Sequence, residues 1–403
     1  MTPEIIEIRH HLHQHPELSN REVETGKFVA AYLTKLGLEV RYPVAHTGVV
    51  AILEGGKPGP VVAVRADMDA LPVTEDTPYP FKSTVRATYL GQEVGVSHAC
   101  GHDIHTAALL GVAKVLTAMR SELPGTVKFI FQPAEEGVPE GEEGGAPLMV
   151  KEGALDQPRP QAIFGLHTWA GSEVGEVKWT AGPALASSDR FRIVIKGRQA
   201  HGALPHLSVD PVVTAAQAVL ALQTIPSRNV PPLEPTVLTV GIIQGGTRFN
   251  IIPDQVELAG TVRTYNPAMQ DLIERRMHEV LKGITESAGA TYELTYERIN
   301  PVTINDTTLT AWAAPRLARL FGPGRAGPME PWMAAEDFSI YARLIPGFFF
   351  RVGVVKPGTV SGGHHTPTFM ADDSSLPVAM RAMSNLIVEY LRNPPRAAVS
   401  GAK

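Results

Sequence analysis

Three apolar runs, each followed at once by polar side chains, constrain the fold of this chain most. The runs "PVVAV", "TVKFIF" and "AIFGL" lead into Asp67 and Asp69, into Glu135 and Glu136, and into His167. Strands that are apolar throughout are buried on both faces, as in parallel sheets covered by helices. Helical patterns such as "TAALLGVAKVLTAMRSEL" lie between the runs. Because ligands bind at the carboxyl ends of such strands, the sequence predicts an α/β sheet with a polar site at one edge.

The pattern changes from about Arg190 onward. Strand, helix, two strands, helix and strand follow one another from "RFRIVIKG" to "TYELTYER". This β-α-β-β-α-β order is the split βαβ plan of a small α+β domain. A chain of 403 residues also exceeds what one hydrophobic core usually organises. We therefore predict an inserted domain at residues 186–297, and one larger domain formed by residues 1–185 and 298–403.

Charge and cysteine content exclude several classes of protein. The net charge of −5 argues against a nucleic-acid partner. The first residues lack the basic head and apolar run of a secretory signal, and no stretch offers the roughly 18 apolar residues of a membrane span. A single cysteine permits no internal disulfide, as is usual in a reducing compartment. We expect a cytoplasmic protein without nucleic-acid or membrane partners.

The segment "HACGHDIH", residues 98–105, combines the one cysteine, Cys100, with three histidines. Deprotonated cysteine, neutral histidine and carboxylates are the ligands of zinc and related metals. A lone buried cysteine or histidine more often fills a core or satisfies a hydrogen bond. Several such groups at strand ends are harder to explain in that way. The candidate ligands are Asp67, Asp69, Cys100, His102, His105, Glu135, Glu136, His167, His364 and His365.

The adjacent carboxylates of Glu135 and Glu136 suggest a division of roles. A pair of neighbouring charges is usually a solvated turn. Here the pair follows a buried strand and opens onto the predicted binding edge. One carboxylate could bind a metal while its neighbour takes a proton from water.

Nine short motifs, spread in order over nearly the whole chain, carry a family resemblance. They are "RADMDALP", "HACGHDIHTA", "FQPAEEG", "GLH", "GRQAHGALPH", "FNIIPD", "GTVRT", "AEDFS" and "HHTPTF". Together they resemble the amidohydrolase branch of the aminoacylase and carboxypeptidase metallopeptidases, which includes hippurate hydrolases and plant indole-acetyl-amino-acid hydrolases. The resemblance implies a zinc-exopeptidase-like mixed sheet with helices on both faces, plus an inserted α+β domain that serves as dimerisation or lid domain.

The resemblance also implies a site with two divalent metal ions per subunit, which could be zinc, manganese, cobalt or nickel. Cys100 would be the bridging thiolate, and the other implied ligands are His102, Glu136, His167 and His365. His365 is preferred to His364 because it directly precedes a small polar residue and proline. Glu135 matches the general base, and Asp69 matches an aspartate that orients a ligand. The roles of Asp67, His105 and Asp103 stay open, although helix capping would suffice for Asp103.

Three residues of the predicted insert match further functional positions. His201 matches a histidine that reaches the active site of a second subunit and stabilises the oxyanion, which implies a homodimer or higher homo-oligomer. Asn250 and Arg263 match residues that hold the carboxylate or amide of the substrate. Without the resemblance, Arg263 is as readily a charge on a strand face.

The implied activity is hydrolysis of the amide bond of N-acyl-L-amino acids by metal-activated water. A carboxypeptidase or dipeptidase acting on short peptides is the nearer alternative. It is less favoured because the bridging position holds Cys100 and not the aspartate usual in peptide-cleaving branches. A non-catalytic metal-binding or thiol redox-sensing protein is the alternative of another class, and it predicts that Glu135 is dispensable.

Two further N-terminal patterns are interpreted structurally: "RHHLHQHPEL" as helix surface and cap, and Ser19 with Glu22 as a capping box.

Overall fold

The computed structural model describes residues 2–395 as an alternation of helices and strands. The helices are α1 (Thr2–Gln14), α2 (Val23–Lys35), α3 (His102–Ala118), α4 (Gly145–Lys151), α5 (Pro211–Leu222), α6 (Pro267–Ala288), α7 (Thr307–Phe321), α8 (Phe338–Ala342) and α9 (Ser375–Arg392). The strands are β1 (Glu39–Val44), β2 (Gly48–Glu54), β3 (Lys57–Asp67), β4 (Arg86–Tyr89), β5 (Gln92–Gly95), β6 (Pro124–Gln132), β7 (Ala162–Glu173), β8 (Val177–Trp179), β9 (Gly182–Leu185), β10 (Ser188–Lys196), β11 (Ala200–His201), β12 (Thr236–Gly245), β13 (Ile251–Ile252), β14 (Gln255–Thr264), β15 (Thr291–Asn300), β16 (Thr303–Asn305), β17 (Ala326–Pro328) and β18 (Gly347–Val355).

The chain divides into two compact units. Within residues 2–395, the first unit comprises the residues up to Gly182, then Ile304–Glu330 and the residues from Ile340 to 395. The second unit comprises Pro183–Thr303 together with Pro331–Ser339. The insert predicted at residues 186–297 lies within the longer of these two segments.

The first unit is built on a mixed eight-stranded sheet of order β1-β2-β6-β3-β7-β18-β8-β17. The four central strands β6, β3, β7 and β18 run parallel to one another, while β2 is antiparallel to β6. On β6, Phe129 and Phe131 point to one face and Ile130 and Gln132 to the other, and all four are fully buried. The prediction of an α/β fold with strands buried on both faces is confirmed.

One predicted strand end is wrong. The sequence suggested that the third apolar strand ends at His167, but β7 continues to Glu173. Strand β18 pairs with β7 over this whole length, from Gly347 beside Ile163 to Val355 beside Glu173. Because the partner strand continues, β7 continues with it, and His167 lies inside the sheet.

The second unit has the β-α-β-β-α-β order expected of its sequence, formed by β10, α5, β12, β14, α6 and β15. Its four long strands form an antiparallel sheet of order β12-β14-β10-β15. Apolar residues of sheet and helices, among them Phe191, Leu258 and Met277, form its core. None of the helices described between residues 2 and 395 is long and apolar enough to cross a membrane.

Candidate metal centre and active site

Cys100 lies in a tight turn directly before α3. Gly101 adopts φ 87° there, a conformation that side chains other than glycine rarely take. A Cβ atom on Gly101 would also lie 2.5 Å from Oγ1 of Thr168. The turn therefore requires glycine, and it places His102 at the first position of α3 with both Cys100 and His102 buried.

Two groups of potential ligands share the sulfur of Cys100. In one group, ligand atoms of Cys100, His102 and His167 lie within 4.8 Å of one another. In the other group, Cys100 meets Glu136 and His365 within the same limit. A single sulfur between two sets of potential ligands is an arrangement that could serve a pair of cations.

Backbone contacts fix the orientation of the buried imidazole of His102 and the half-buried imidazole of His167. Nδ1 of His102 donates to the carbonyl oxygen of Asp69 at 2.8 Å and lies 3.2 Å from Oδ1 of the same residue. Nδ1 of His167 donates to the carbonyl of Thr168 at 2.6 Å, and its Nε2 lies 3.4 Å from Sγ of Cys100. In each neutral ring the lone pair is therefore on Nε2, the atom turned toward the cluster, as metal-binding histidines require.

His365 approaches from the loop after β18. Its backbone N–H donates to the carbonyl of Ala99 at 2.9 Å, which ties this loop to the turn that carries Cys100. Its Nε2 lies 3.3 Å from Oε1 of Glu136, and 54% of its side chain is exposed. His365 thus lies at the solvent-exposed side of the cluster.

Unsatisfied polar atoms test whether this cluster fits a metal. Among residues 2–395, the buried atoms Nε2 of His102 and Oε1 of Glu136 have no hydrogen-bond partner. These atoms lie 3.8 Å apart, and their residues belong to the two ligand groups that share the sulfur of Cys100. Burying a polar atom without a partner costs free energy, and cations bound by this cluster would remove that cost. The donor set of thiolate, imidazole and carboxylate fits zinc and similar divalent ions.

The electrostatics of the cluster favour a positive charge in the same place. Burial, together with the charges of Glu136 and Glu135, raises the pKa of the Cys100 thiol well above its usual value. A thiolate here therefore needs a cation beside it. Burial opposes protonation of His102, but Asp67 and Asp69 raise the pKa of this histidine to about 10. The carboxylates thus stabilise a positive charge at His102, which a cation at Nε2 would supply in place of a proton.

His364 and His105, whose roles the sequence left open, hold their protons in the opposite orientation. The backbone N–H of Ala170 donates to Nε2 of His364 at 3.1 Å, so the proton of the neutral ring is on Nδ1, 3.7 Å from Sγ of Cys100. His105 likewise accepts from the N–H of Thr168 at Nε2 and donates from Nδ1 to Asp67. Neither ring offers a lone pair to a cation. His364 faces the sulfur as a hydrogen-bond donor, and His105 orients Asp67.

Glu135 and Glu136 form the turn that follows β6. The N–H of Glu136 donates to Oδ2 of Asp69 at 3.0 Å, so Asp69 holds both this turn and His102. Carboxylate oxygens of Glu135 and Glu136 share a 4.8 Å group with His102. Glu135 therefore lies beside the ligand cluster, in reach of a water molecule bound there.

The interpretation of the first helix as surface is right for His11 and His15, which are exposed, and wrong for two other residues. Arg9 and His13 of "RHHLHQHPEL" are buried, and both donate to Oδ2 of Asp103, at 2.8 and 2.9 Å. Although burial opposes it, the charges of Arg9 and His13 hold the pKa of Asp103 well below its usual range. Asp103 thus anchors α3 to α1 next to His102 and does not cap its own helix. A histidine-rich amphipathic helix could have suggested buried ion pairs, but its partner is 94 residues away.

The second unit carries the other predicted site residues. His201 is exposed on β11, and its Nδ1 accepts the N–H of Ala203 at 3.0 Å. The proton of the neutral ring is therefore on Nε2. Asn250 directly precedes β13, the strand that pairs with β11. Within the described chain, Oδ1 of Asn250 is buried without a hydrogen-bond partner. Burial lowers the pKa of Arg263 on β14, and Asp189 partly offsets this effect.

Comparison with known proteins identifies the family of this chain. Residues 63–389 match the model of peptidase family M20/M25/M40. The chain is 40% identical over 388 residues to N-acetylcysteine deacetylase of Bacillus subtilis, with 96% of this chain and 97% of that protein covered. It is 36% identical over 390 residues to thermostable carboxypeptidase 2 of Saccharolobus solfataricus, with coverage of 96% and 95%.

A solved structure extends the likeness to the fold. The crystal structure of a dinuclear metal-binding peptidase of the M20 family from Bacillus subtilis superposes with a TM-score of 0.81. It is 37% identical and covers 97% of this chain and 98% of its own. The protein is therefore a hydrolytic enzyme acting on amides, and it belongs to peptidase family M20/M25/M40.

Proposed function

We propose that this enzyme hydrolyses the amide bond of N-acyl-L-amino acids, with Glu135 as general base. The observation that carries the proposal is the shared sulfur of Cys100, between two groups of potential ligands, with the carboxylate of Glu135 next to them. A thiolate shared in this way would hold divalent cations together with both groups, and the adjacent carboxylate of Glu135 would handle protons.

The cofactor is a pair of divalent metal ions, for which zinc, manganese, cobalt and nickel are the candidates. When bound, they would polarise the scissile carbonyl and lower the pKa of water toward neutrality. The ligands would be Cys100, His102, Glu136, His167 and His365. Asp69 would act through His102 and through the backbone of Glu136, whose positions it fixes.

The remaining steps fall to side chains of this chain. Glu135 would take the proton of the attacking water and pass it to the leaving amine. His201 would donate its Nε2 proton to the oxyanion, and the N–H of Ala203 already fixes that tautomer. The guanidinium of Arg263, whose planar fork suits a carboxylate, and the amide of Asn250 would hold the amino-acid end of the substrate.

We further propose a homodimer, or a higher homo-oligomer paired through the second unit, in which His201 serves the active site of another copy. The exposure of His201 supports this assignment, because the side chain has room to meet a second molecule. The single unpaired cysteine suits a reducing compartment, so we place the enzyme in the cytoplasm. Neither nucleic acid nor membrane is among the proposed partners.

Carboxypeptidase action on short peptides is the second candidate. The likeness to a protein named as a carboxypeptidase favours it. Release of amino acids from dipeptides in preference to acetyl or benzoyl derivatives would identify that activity. A thiol sensor or metal store is the remaining candidate, and in such a protein Glu135 would have no essential role.

A panel of N-acyl amino acids and dipeptides, assayed on protein reconstituted with each metal in turn, tests the proposal. The wild type should prefer the acyl derivatives. Glu135→Gln should retain both metals and lose about 10²- to 10⁴-fold in kcat, the usual contribution of a general base. Undiminished turnover by Glu135→Gln with metal bound would reject the mechanism, and a preference for dipeptides would reject the substrate class.

A further inference from the structure

Four consecutive residues, Ser19 to Glu22, lie in the segment between α1 and α2. They contact residues around the turn that carries Glu135 and Glu136. Ser19 donates from Oγ to Oδ2 of Asp69 at 2.8 Å. Asn20 and Arg21 both donate to the carboxylate of Glu142, in the loop that follows the turn. The capping box predicted from Ser19 and Glu22 is therefore wrong. Both side chains turn toward the site and away from α2.

Glu22 has the most direct contact with this turn. Its side chain is completely buried. Oε1 accepts the backbone N–H of Ala134 at 2.9 Å, and Oε2 accepts the hydroxyl of Thr47 at 2.7 Å. The carboxyl group thus joins the segment before α2 to the residue that precedes Glu135, across 112 positions of sequence.

The backbone at Ala134 explains why such a contact is needed. Ala134 adopts φ 54°, in the left-handed region that residues with a side chain seldom take. Strained backbone of this kind persists only where the surrounding structure fixes it. The two residues that follow are Glu135 and Glu136, so any relaxation at Ala134 would move both carboxylates relative to Cys100.

We propose that Glu22 is a positioning residue, which holds the Ala134 turn so that Glu135 faces the water and Glu136 faces the cations. The inference rests on the proposed roles of Glu135 and Glu136. It adds a specific cause for their placement, namely the hydrogen bond from the N–H of Ala134 to Glu22.

The chain offers variants that separate this role from general stability. Glu22→Ala removes the acceptor, and Glu22→Asp withdraws it by one methylene. Burial, with a further contribution from Asp69, raises the pKa of Glu22 to about 8, so the neutral amide of Glu22→Gln reproduces the protonated carboxyl. Thr47→Val is the matched control, because it removes the other hydrogen bond of Glu22 and leaves Ala134 untouched.

Turnover should separate the variants. Glu22→Ala and Glu22→Asp should lose about 10- to 100-fold in kcat, the usual effect of a residue that orients a catalytic group. KM should stay the same, because Glu22 acts on the turn of Glu135 and Glu136, whose proposed roles are in proton transfer and metal binding and not in holding the substrate. Glu22→Gln and Thr47→Val should remain within about threefold of wild type, since a threefold change is a small part of the barrier.

A cobalt(II) titration, followed through the absorption of the cobalt–thiolate bond, supplies a measurement that needs no catalysis. Glu22→Ala should bind cobalt about 10-fold more weakly, because Glu136 is displaced, while Glu22→Gln binds it as the wild type does. If Glu22→Ala does not fold, Glu22→Asp decides the question in the same two assays. Wild-type kcat and cobalt affinity in a folded Glu22→Ala or Glu22→Asp variant would overturn the inference. Full activity of Glu135→Gln would instead overturn the proposed function, so the two failures are distinct.

Discussion

The two units hold their predicted functional side chains in different ways. In the first unit, His102 and His167 are fixed by backbone carbonyls, and Glu136 is fixed by Asp69. In the second unit, His201 is exposed, and within the described chain Oδ1 of Asn250 has no hydrogen-bond partner. The first set is therefore preorganised by the chain itself. The second set offers donors and acceptors whose partners would be substrate or another copy of the protein.

Removal of Cys100 should have the largest effect, because it removes the atom that the first unit shares between two ligand groups. A serine hydroxyl is not deprotonated at neutral pH and is a poor ligand for zinc. Cys100→Ser should therefore lose bound metal and on the order of 10⁴-fold in kcat/KM, as for a central catalytic group. Elemental analysis and steady-state kinetics provide the measurement.

Ser97→Ala is a suitable control for the Cys100 variant, since Ser97 lies in the same segment and its hydroxyl donates to the carbonyl of Val73. Its metal content and activity should stay close to those of the wild type. A Cys100→Ser enzyme with two metals per subunit and wild-type turnover would show that the first unit does not depend on its preorganised thiolate.

Loss of Arg9 should have the next largest effect, on stability and not directly on chemistry. The side chains of Arg9 and Asp103 are each 1% exposed, and Nη1 of Arg9 also donates to Asp373 at 2.7 Å. Arg9→Met would leave the buried carboxylate of Asp103 without its main counter-charge. Removal of one partner of a buried pair typically costs about 3–5 kcal/mol. Urea denaturation of the metal-free protein should show this decrease in the free energy of unfolding. A decrease below about 1 kcal/mol would contradict the buried ion pair, because it is the value typical of a solvated pair.

The role of His201 tests the second unit in a different way. His201→Ala should lose about 10²- to 10³-fold in kcat, the usual contribution of one oxyanion donor. If the residue acts in a second copy, mixing His201→Ala with Glu135→Gln forms hybrid dimers with one intact site. In a random 1:1 mixture about half of the dimers are hybrids, and each hybrid has one intact site of two. A symmetric pairing therefore predicts recovery of up to about a quarter of wild-type activity.

The mixing experiment has its own control. Each variant mixed only with itself should stay inactive under the same conditions. A mixture that stays equally inactive, although mass measurement shows that subunits exchange, would assign His201 to the active site of its own chain and remove the reason to expect a dimer.

The parts of the molecule that the sequence predicted are those encoded by local pattern. Each apolar run ending in polar residues identified a central strand and a site segment, as for β3 with Asp69 and β6 with Glu135. The residue roles at that edge came instead from the family resemblance. Spacing alone does not distinguish His365 from His364, whereas the hydrogen bond from Ala170 to Nε2 of His364 supports the prediction of His365 as the ligand.

The parts that escaped prediction depend on partners distant in sequence. Arg9 looked like a helix-surface residue because Asp103 lies 94 positions away, and Glu22 looked like a cap because Ala134 lies 112 positions away. The extension of β7 past His167 likewise depends on β18. In each case a polar or ambiguous segment is fixed by a tertiary contact, which local propensity does not describe.

The smallest effect is expected from ion pairs on the sheet of the second unit. Lys196 on β10 contacts Glu293 on β15, and their side chains are 43% and 65% exposed. Water and salt screen such a pair, so Lys196→Ala should change the free energy of unfolding by less than about 1 kcal/mol. A double-mutant cycle with Glu293→Ala, measured by urea denaturation at low and high salt, isolates the coupling between the two charges. A coupling as large as that of Arg9 with Asp103, and insensitive to salt, would mean that the strand pair is shielded from water in the assembled enzyme. Weak, salt-sensitive coupling would show that an exposed pair of this kind contributes little, in contrast to the buried pair of Arg9 and Asp103 beside the proposed ligand His102.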